Sequence, residues 1–337
     1  MKLIKKEFVF HPDNPYFNVC HASTICLLPN NEMLAAWFGG TKEGSDDTAI
    51  WMSRQKEGKW SQPYKVAYDV KEPHWNPVFY QQKNGPIYLF YKVGKDISKW
   101  STKIRQSNDN GITWTDPKEL VPGDFGGRGP VRNKAITLSN GDIISGASLE
   151  RGIWYAFADS STAQLDYWTK SNHIQIEGID YDGEKTVNYS DIEVSEQSFY
   201  GRGVIQPTLW ESKYGHVHML LRSTEGFIYR SDSNDYGKTW CKAYQTSLLN
   251  NNSGIDVVKT INNELLLCYN PIGENWGKRT PLNISISKDN GETWDHIFTL
   301  ENESGEYSYP AIIAEDGRVI VSYTWNRQSI VVAQFHL

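Results

Sequence analysis

The sequence predicts an all-β chain folded as a six-bladed β-propeller, and three observations predict it. A short turn motif recurs at a fixed period, alternating apolar runs separated by turn dipeptides fill the intervals, and no segment carries a sustained helical period. The motif is clearest at Ser107-Asn-Asp109-Asn-Gly111-Ile-Thr-Trp114, and it returns at Ser233–Trp240 and Ser287–Trp294. A shortened copy ends at Trp60 and a decayed one at Trp168. The closing tryptophans at 60, 114, 168, 240 and 294 are therefore 54, 54, 72 and 54 residues apart. One constant period with a single excess of 18 residues marks repeated blades, and it places an insertion in the polar stretch between Ser171 and Arg202.

The box is hairpin chemistry. Aspartate accepts from nearby backbone amides, glycine takes positive φ, and the tryptophan packs beneath the turn. An alternating strand precedes each box, as in Lys103–Ser107 and Leu282–Ser287. Strand pairs turn at Asn140-Gly141 and at Glu315-Asp-Gly317. Five boxed blades and the segment Tyr307–Phe335 make six, with Lys5–Phe10 closing the last one; a sheet in the inserted stretch would make seven. On this reading residues 1–337 form one domain, with blade ends near 60, 114, 168, 240 and 294.

Composition removes several function classes. Net charge is −6 and no Lys/Arg block occurs, so a nucleic-acid partner is not expected. Cys20, Cys26, Cys241 and Cys268 form no CxxC pair, which suggests reduced thiols rather than a disulfide framework or a zinc site. No apolar run reaches the ~20 residues of a membrane span, and the N-terminus lacks a signal-peptide core, so a cytoplasmic protein is expected. No cofactor motif is present, and no metal is expected. Oligomeric state is not legible. Aromatic residues reach 13%, with 13 Trp and 19 Tyr, which suits both strand packing and a sugar-binding face.

These boxes resemble the Asp-box, or bacterial neuraminidase, repeat of the sialidase superfamily, where they are structural turns remote from the chemistry. The resemblance covers essentially the whole chain. It implies a carboxylate clamp of three arginines, a Tyr nucleophile activated by a Glu, and an Asp acid/base. Counting back from Pro29 puts His21 where the first arginine stands. Asp46 and Asp47 occupy the acid/base loop, with Asp47 taken as the acid/base. Arg222 and Arg279 match the other two arginines. Tyr307 matches the nucleophile, with Tyr309 a close competitor, and Gln206 in Gln206-Pro-Thr stands where the family has its Glu. An amide cannot take the tyrosine proton.

Further polar clusters recur once per blade and suggest a basic cleft in an acidic protein: His74 and Asn76, Arg132 and Lys134, and Thr324–Arg327. Such a cleft implies an anionic oligosaccharide partner. The reading is an exo-acting, sialidase-like glycoside hydrolase on a sialic or uronic acid-containing sugar, with His21 or His74 supplying acid–base chemistry. A lyase using His and Tyr, and a non-catalytic carbohydrate-binding propeller, are the alternatives.

Overall fold

The computed structural model describes residues 1–182 and 187–337. The described strands fall into antiparallel groups that follow one another along the chain. The first comprises Val19–Leu27, Met33–Gly40 and Ala49–Lys56, edged by Lys59–Trp60 and Tyr64–Ala67. The second runs His74–Gln81, Ile87–Val93, Ser101–Ser107 and Lys118–Glu119, and the third Ile136–Thr137, Ile143–Glu150, Ile153–Ser161 and Trp168–Lys170. The fourth is Arg202–Lys213, His216–Ser223, Phe227–Ser233 and Tyr244–Leu249; a two-residue parallel contact of Ile153–Trp154 with Arg202–Gly203 joins it to the third. The fifth is Asp256–Lys259, Leu265–Tyr269, Leu282–Ser287 and Asp295–Glu301. In the last, Tyr307–Glu315, Arg318–Trp325 and Ser329–His336 take the N-terminal strand Lys2–Phe8 as their outer partner.

Apolar side chains from each group meet those of the next. One core joins the first and second groups through Phe38, Trp75 and Leu89. Others pair the second with the third, third with fourth, fourth with fifth and fifth with last. A further one returns from the last group to the first through Trp37, Ile320 and Val332. Side-chain hydrogen bonds between successive groups follow the same circuit. Thr24 Oγ1 accepts from Phe79 N, Tyr80 pairs with Thr137, Asn133 donates to Gln206 O, and Thr208 Oγ1 accepts from Val257 N. Asp256 then accepts from Ile312 N, and Thr324 Oγ1 accepts from Ala22 N.

The Asp-boxes act as wedges between groups. In each full copy the aspartate accepts from the backbone N–H and hydroxyl of the threonine four residues on, as Asp109 does from Thr113, and the serine hydroxyl accepts from the glycine N–H. The turn glycines 111 and 237 have φ of 79° and 77°, and a Cβ there would strike Leu34 or Ile144 of the preceding group. Trp240 and Trp294 donate their indole N–H to the carbonyl of their own box glycine.

Asp256, 1% exposed, ties four groups together. It accepts from Lys134 Nζ through both oxygens at 2.9 Å, from Thr208 Oγ1 at 2.6 Å and from Ile312 N at 2.9 Å. Replacing it by Ala strands the Lys134 ammonium and two further donors. Asp256→Ala should lose about 3 kcal/mol or more of stability in denaturant unfolding, the cost of breaking a buried ion pair from one side. A loss within the range of an ordinary surface substitution would contradict this role.

Candidate functional site

Four leading strands share an irregularity near their starts. Pairing slips between His21 and Thr24, Trp75 and Val78, Ile205 and Thr208, and Ser308 and Ala311. At each slip one residue adopts a left-handed backbone: Ala22 (φ 55°), Asn76 (45°), Gln206 (53°) and Tyr309 (54°). Such a bulge re-aims a side chain that the regular pleat would send elsewhere. Proline follows three of the four, Pro77, Pro207 and Pro310.

Tyr309 is the centre of the resulting cluster. The guanidinium carbons of Arg132, Arg222 and Arg279 lie 5.3, 5.7 and 5.4 Å from its ring centroid, and the His21 ring lies 4.1 Å away. Arg222 Nη1 donates to the Tyr309 hydroxyl at 2.5 Å and to Gln206 Oε1 at 3.2 Å, while its Nε donates to Asn252 Oδ1 at 2.9 Å. Arg279 Nη1 donates to Glu306 at 2.8 Å and approaches His21 Nε2 at 3.4 Å. Arg327 also donates to Glu306, and it pairs with Glu43.

An arginine can only donate, so His21 Nε2 carries its lone pair toward Arg279 and Nδ1–H donates to Thr324 Oγ1 at 3.0 Å. Burial, and then the charges of Arg327, Arg279, Arg132 and Arg222, hold His21 well below the usual histidine range. It is a neutral base in a cationic basin.

The sequence-derived candidates divide sharply. His21, Arg222, Arg279, Gln206, Tyr309 and Arg132 converge. Arg132 lies under Tyr309, donating to the carbonyls of Tyr309 and Pro310, and burial draws it down to about 10. Lys134 is bound to Asp256 and the Val257 carbonyl. Tyr307 packs with Leu282, Val321 and Tyr323, with its ring 6.5 Å from that of Trp325. His74 stacks on Tyr91, and its Nδ1 lies 2.9 Å from the Glu72 carbonyl, apart from the arginines. Asn76 is buried at its bulge.

Asp46 pairs with Lys95 at 2.6 Å. Asp47 staples its own loop, accepting from Thr41 N, Thr41 Oγ1 and Ser45 Oγ. Partial burial raises its carboxyl, and those hydrogen bonds outweigh it and hold the group below the usual range. The carboxylate of that loop which meets the cations is Glu43. Glu43 and Glu306 escaped sequence reasoning, because no motif marks either of them.

The inserted stretch returns over this face as a strap, residues 187–201. Glu193 pairs with Lys42, and Val194 sits against Gly44 and Trp75. Gln197 accepts from Ile97 N, Ser198 donates to Glu150, and Phe199 meets Trp276 edge-on at 4.4 Å. A Cβ on Gly201 would fall 1.7 Å from the Trp154 indole nitrogen, so only glycine lets the strap rejoin the fourth group there. Residues 183–186 of the insertion lie outside the described residues.

A cavity of about 580 Å³ opens at the other ends of the leading strands, lined by Leu27, Phe79, Gln81, Thr137, Ile313 and Glu315 among others. It contains none of the arginines, so the cluster around Tyr309 rather than this cavity is the candidate anion site. Among the described residues no group of three or more His, Cys, Asp or Glu is arranged to hold a metal ion. Among the described residues no helix is long and apolar enough to cross a membrane. Cys20, Cys26 and Cys268 are buried, and Cys241 is exposed.

The fold is therefore all-β and of the sialidase type, whose members are β-propellers. Residues 31–321 match the BNR repeat-like domain, and the chain belongs to that family of sialidase-like proteins. A protein of unknown function from Dyadobacter fermentans superposes with a TM-score of 0.75 at 15% identity, over 100% of this chain and 99% of that one. The Hadza microbial sialidase Hz136 gives 0.75 at 15% identity, covering 98% and 68%. The NanB sialidase from Streptococcus pneumoniae gives 0.71 at 13%, covering 98% and 70%. No curated protein matches the sequence significantly.

The neutral state of His21 has a pH signature. Its folded value lies below the unfolded one of ~6.5, so the unfolded chain binds the extra proton as acidity rises. This contribution to stability is complete above the unfolded value and is lost as pH falls toward the folded one. Unfolding free energy should therefore fall more steeply from pH 7 to 5 in the wild type than in His21→Gln. Equal slopes would contradict the assignment.

Proposed function

We propose that the chain is a single six-bladed sialidase-like propeller that acts as an exo-acting glycoside hydrolase on a carboxylated sugar. The ring of inter-group cores and hydrogen bonds supports the blade count. The observation that carries the functional reading is Arg222, a buried guanidinium whose hydrogen-bond partners Asn252, Gln206 and Tyr309 are all neutral. Among the described residues no carboxylate is bonded to it; a buried cation so placed is costly, and a carboxylate is the partner whose geometry matches a guanidinium. Arg279 beside the Tyr309 ring, and Arg327, which shares Glu306 with it, make the basin a clamp for such a group. Sialic and uronic acids carry it. Beside that clamp Tyr309, rather than Tyr307, takes the nucleophile's part, and Glu43, rather than Asp47, is the carboxylate placed for proton transfer.

Gln206 and His21 favour a second reading, β-elimination. The amide cannot accept the Tyr309 proton, whereas the neutral imidazole of His21, once a bound carboxylate draws Arg279 off its Nε2 lone pair, can remove the proton α to that carboxylate. The carbon–oxygen bond then breaks, its electron pair leaves with the oxygen, and a carbon–carbon double bond forms.

One screen decides between these. The protein is offered sialosides and uronate oligosaccharides, and both new reducing ends and the absorbance of unsaturated products are followed. Reducing ends without absorbance support hydrolysis; both together support elimination. Saturable binding with neither leaves a carbohydrate-binding propeller, and absence of binding sinks the proposal. On an active substrate Tyr309→Phe should cost about 10²–10⁴-fold in kcat, while Tyr307→Phe stays near wild type. Arg222→Ala should weaken binding by about 2–5 kcal/mol.

A further inference from the structure

Glu150 is a buried carboxylate, 5% exposed, at the end of the strand Ile143–Glu150, and none of the roles above uses it. Burial raises its carboxyl, against the charge of Arg222 and hydrogen bonds from Ser198 and Gln206. Ser198 Oγ, on the strap, donates to Glu150 Oε2 at 2.8 Å. On the other side the Gln206 amide stands between Glu150 and Arg222. Arg222 can only donate, so Gln206 turns its Oε1 to Arg222, as the 3.2 Å contact requires, and its NH₂ toward Glu150. The polar groups lie in one series: the Ser198 hydroxyl bonded to the Glu150 carboxylate, the Gln206 amide beside that carboxylate, and Arg222 donating both to Gln206 and to the Tyr309 hydroxyl.

We propose that Glu150 is a positioning residue of this site, which through the Gln206 amide fixes Arg222 against Tyr309, and that Ser198 couples this chain to the strap. The inference rests on the reading of Arg222 and Tyr309 as the working pair. It also accounts for the amide at 206. A donor on one side and an acceptor on the other match both ends of a glutamine. A second carboxylate beside Glu150 would instead force the two to share a proton.

The test is a swap. Glu150→Gln, Gln206→Glu and the double variant are compared with wild type in thermal unfolding and in turnover on the substrate found in the screen. A third readout is the Nε–H resonance of Arg222 in protein labelled with ¹⁵N-arginine, assigned through Arg222→Lys, which needs no substrate. Each single change should cost about tenfold or more in kcat and broaden or move the Arg222 resonance. The double variant, with donor and acceptor exchanged, should recover most of both. In Gln206→Glu the acidic limb of the pH–rate profile should move to higher pH.

An Arg222 resonance unmoved in Glu150→Gln overturns the proposal. So do additive losses in the double variant, and so does recovery of melting temperature without recovery of the Arg222 signal, which would make the contact merely structural. Absence of turnover in wild type would sink the proposed function alone, because the resonance and the unfolding cycle still decide the role of Glu150.

Discussion

The site depends on a carboxylate that takes no part in it. Asp256 is bonded to Lys134, Thr208 and Ile312, and each of these lies two or three residues beyond a member of the cluster: Arg132, Gln206 and Tyr309. Two residues along a strand are about 6–7 Å, so the hub sits about one pleat repeat below the cluster and sets its height on the strands Arg202–Lys213 and Tyr307–Glu315 and on the segment leading into Ile136–Thr137. A slip of one residue in any of them would send a cluster side chain into a blade core. The buried pair is dear in desolvation, and its recompense is register. A hydrophobic replacement could match its energy without specifying which residues of four groups stand level.

Much of the fold was legible because its signal is local and repeated. The Asp-box satisfies its own backbone within a few residues, so its sequence survives wherever the turn is needed, and the 54-residue period follows. The cluster was legible only in part. Tyr307 and Tyr309 have the same parity, and on a regular strand they would share a face. The bulge between Ser308 and Ala311 separates them, sending Tyr309 to the arginines and leaving Tyr307 in the core. The clue was present in Tyr309-Pro310, the counterpart of Asn76-Pro77 and Gln206-Pro207, because proline follows each of these left-handed residues.

Asp47 and Glu43 show the opposite limit. Both sit in one short polar loop, and nothing in residue type or spacing says which will close the turn and which will reach across to Arg327. That choice belongs to Thr41 and Ser45, whose hydroxyls capture Asp47. Likewise the 18 extra residues announced an insertion, but composition could not show that it would fold back as a strap touching four groups. Its contacts are single side chains, Gln197, Ser198 and Phe199, spread over a polar segment without periodicity.

The charges around Tyr309 give the departures from the sialidase pattern a common sense. Arg279 and Arg327 share Glu306, and Arg327 also holds Glu43, so two of the cations already have partners. Arg222 does not. A carboxylate at position 206 would supply one and leave the basin with less positive charge to offer an incoming anion. The amide keeps the same hydrogen bond without the charge, and Glu150 stands one group further back. His21, in the place of an arginine, withholds another positive charge while adding a lone pair that an arginine lacks. At positions 21 and 206 the basin thus carries neutral groups where the family pattern places charges, and at 21 it gains a lone pair.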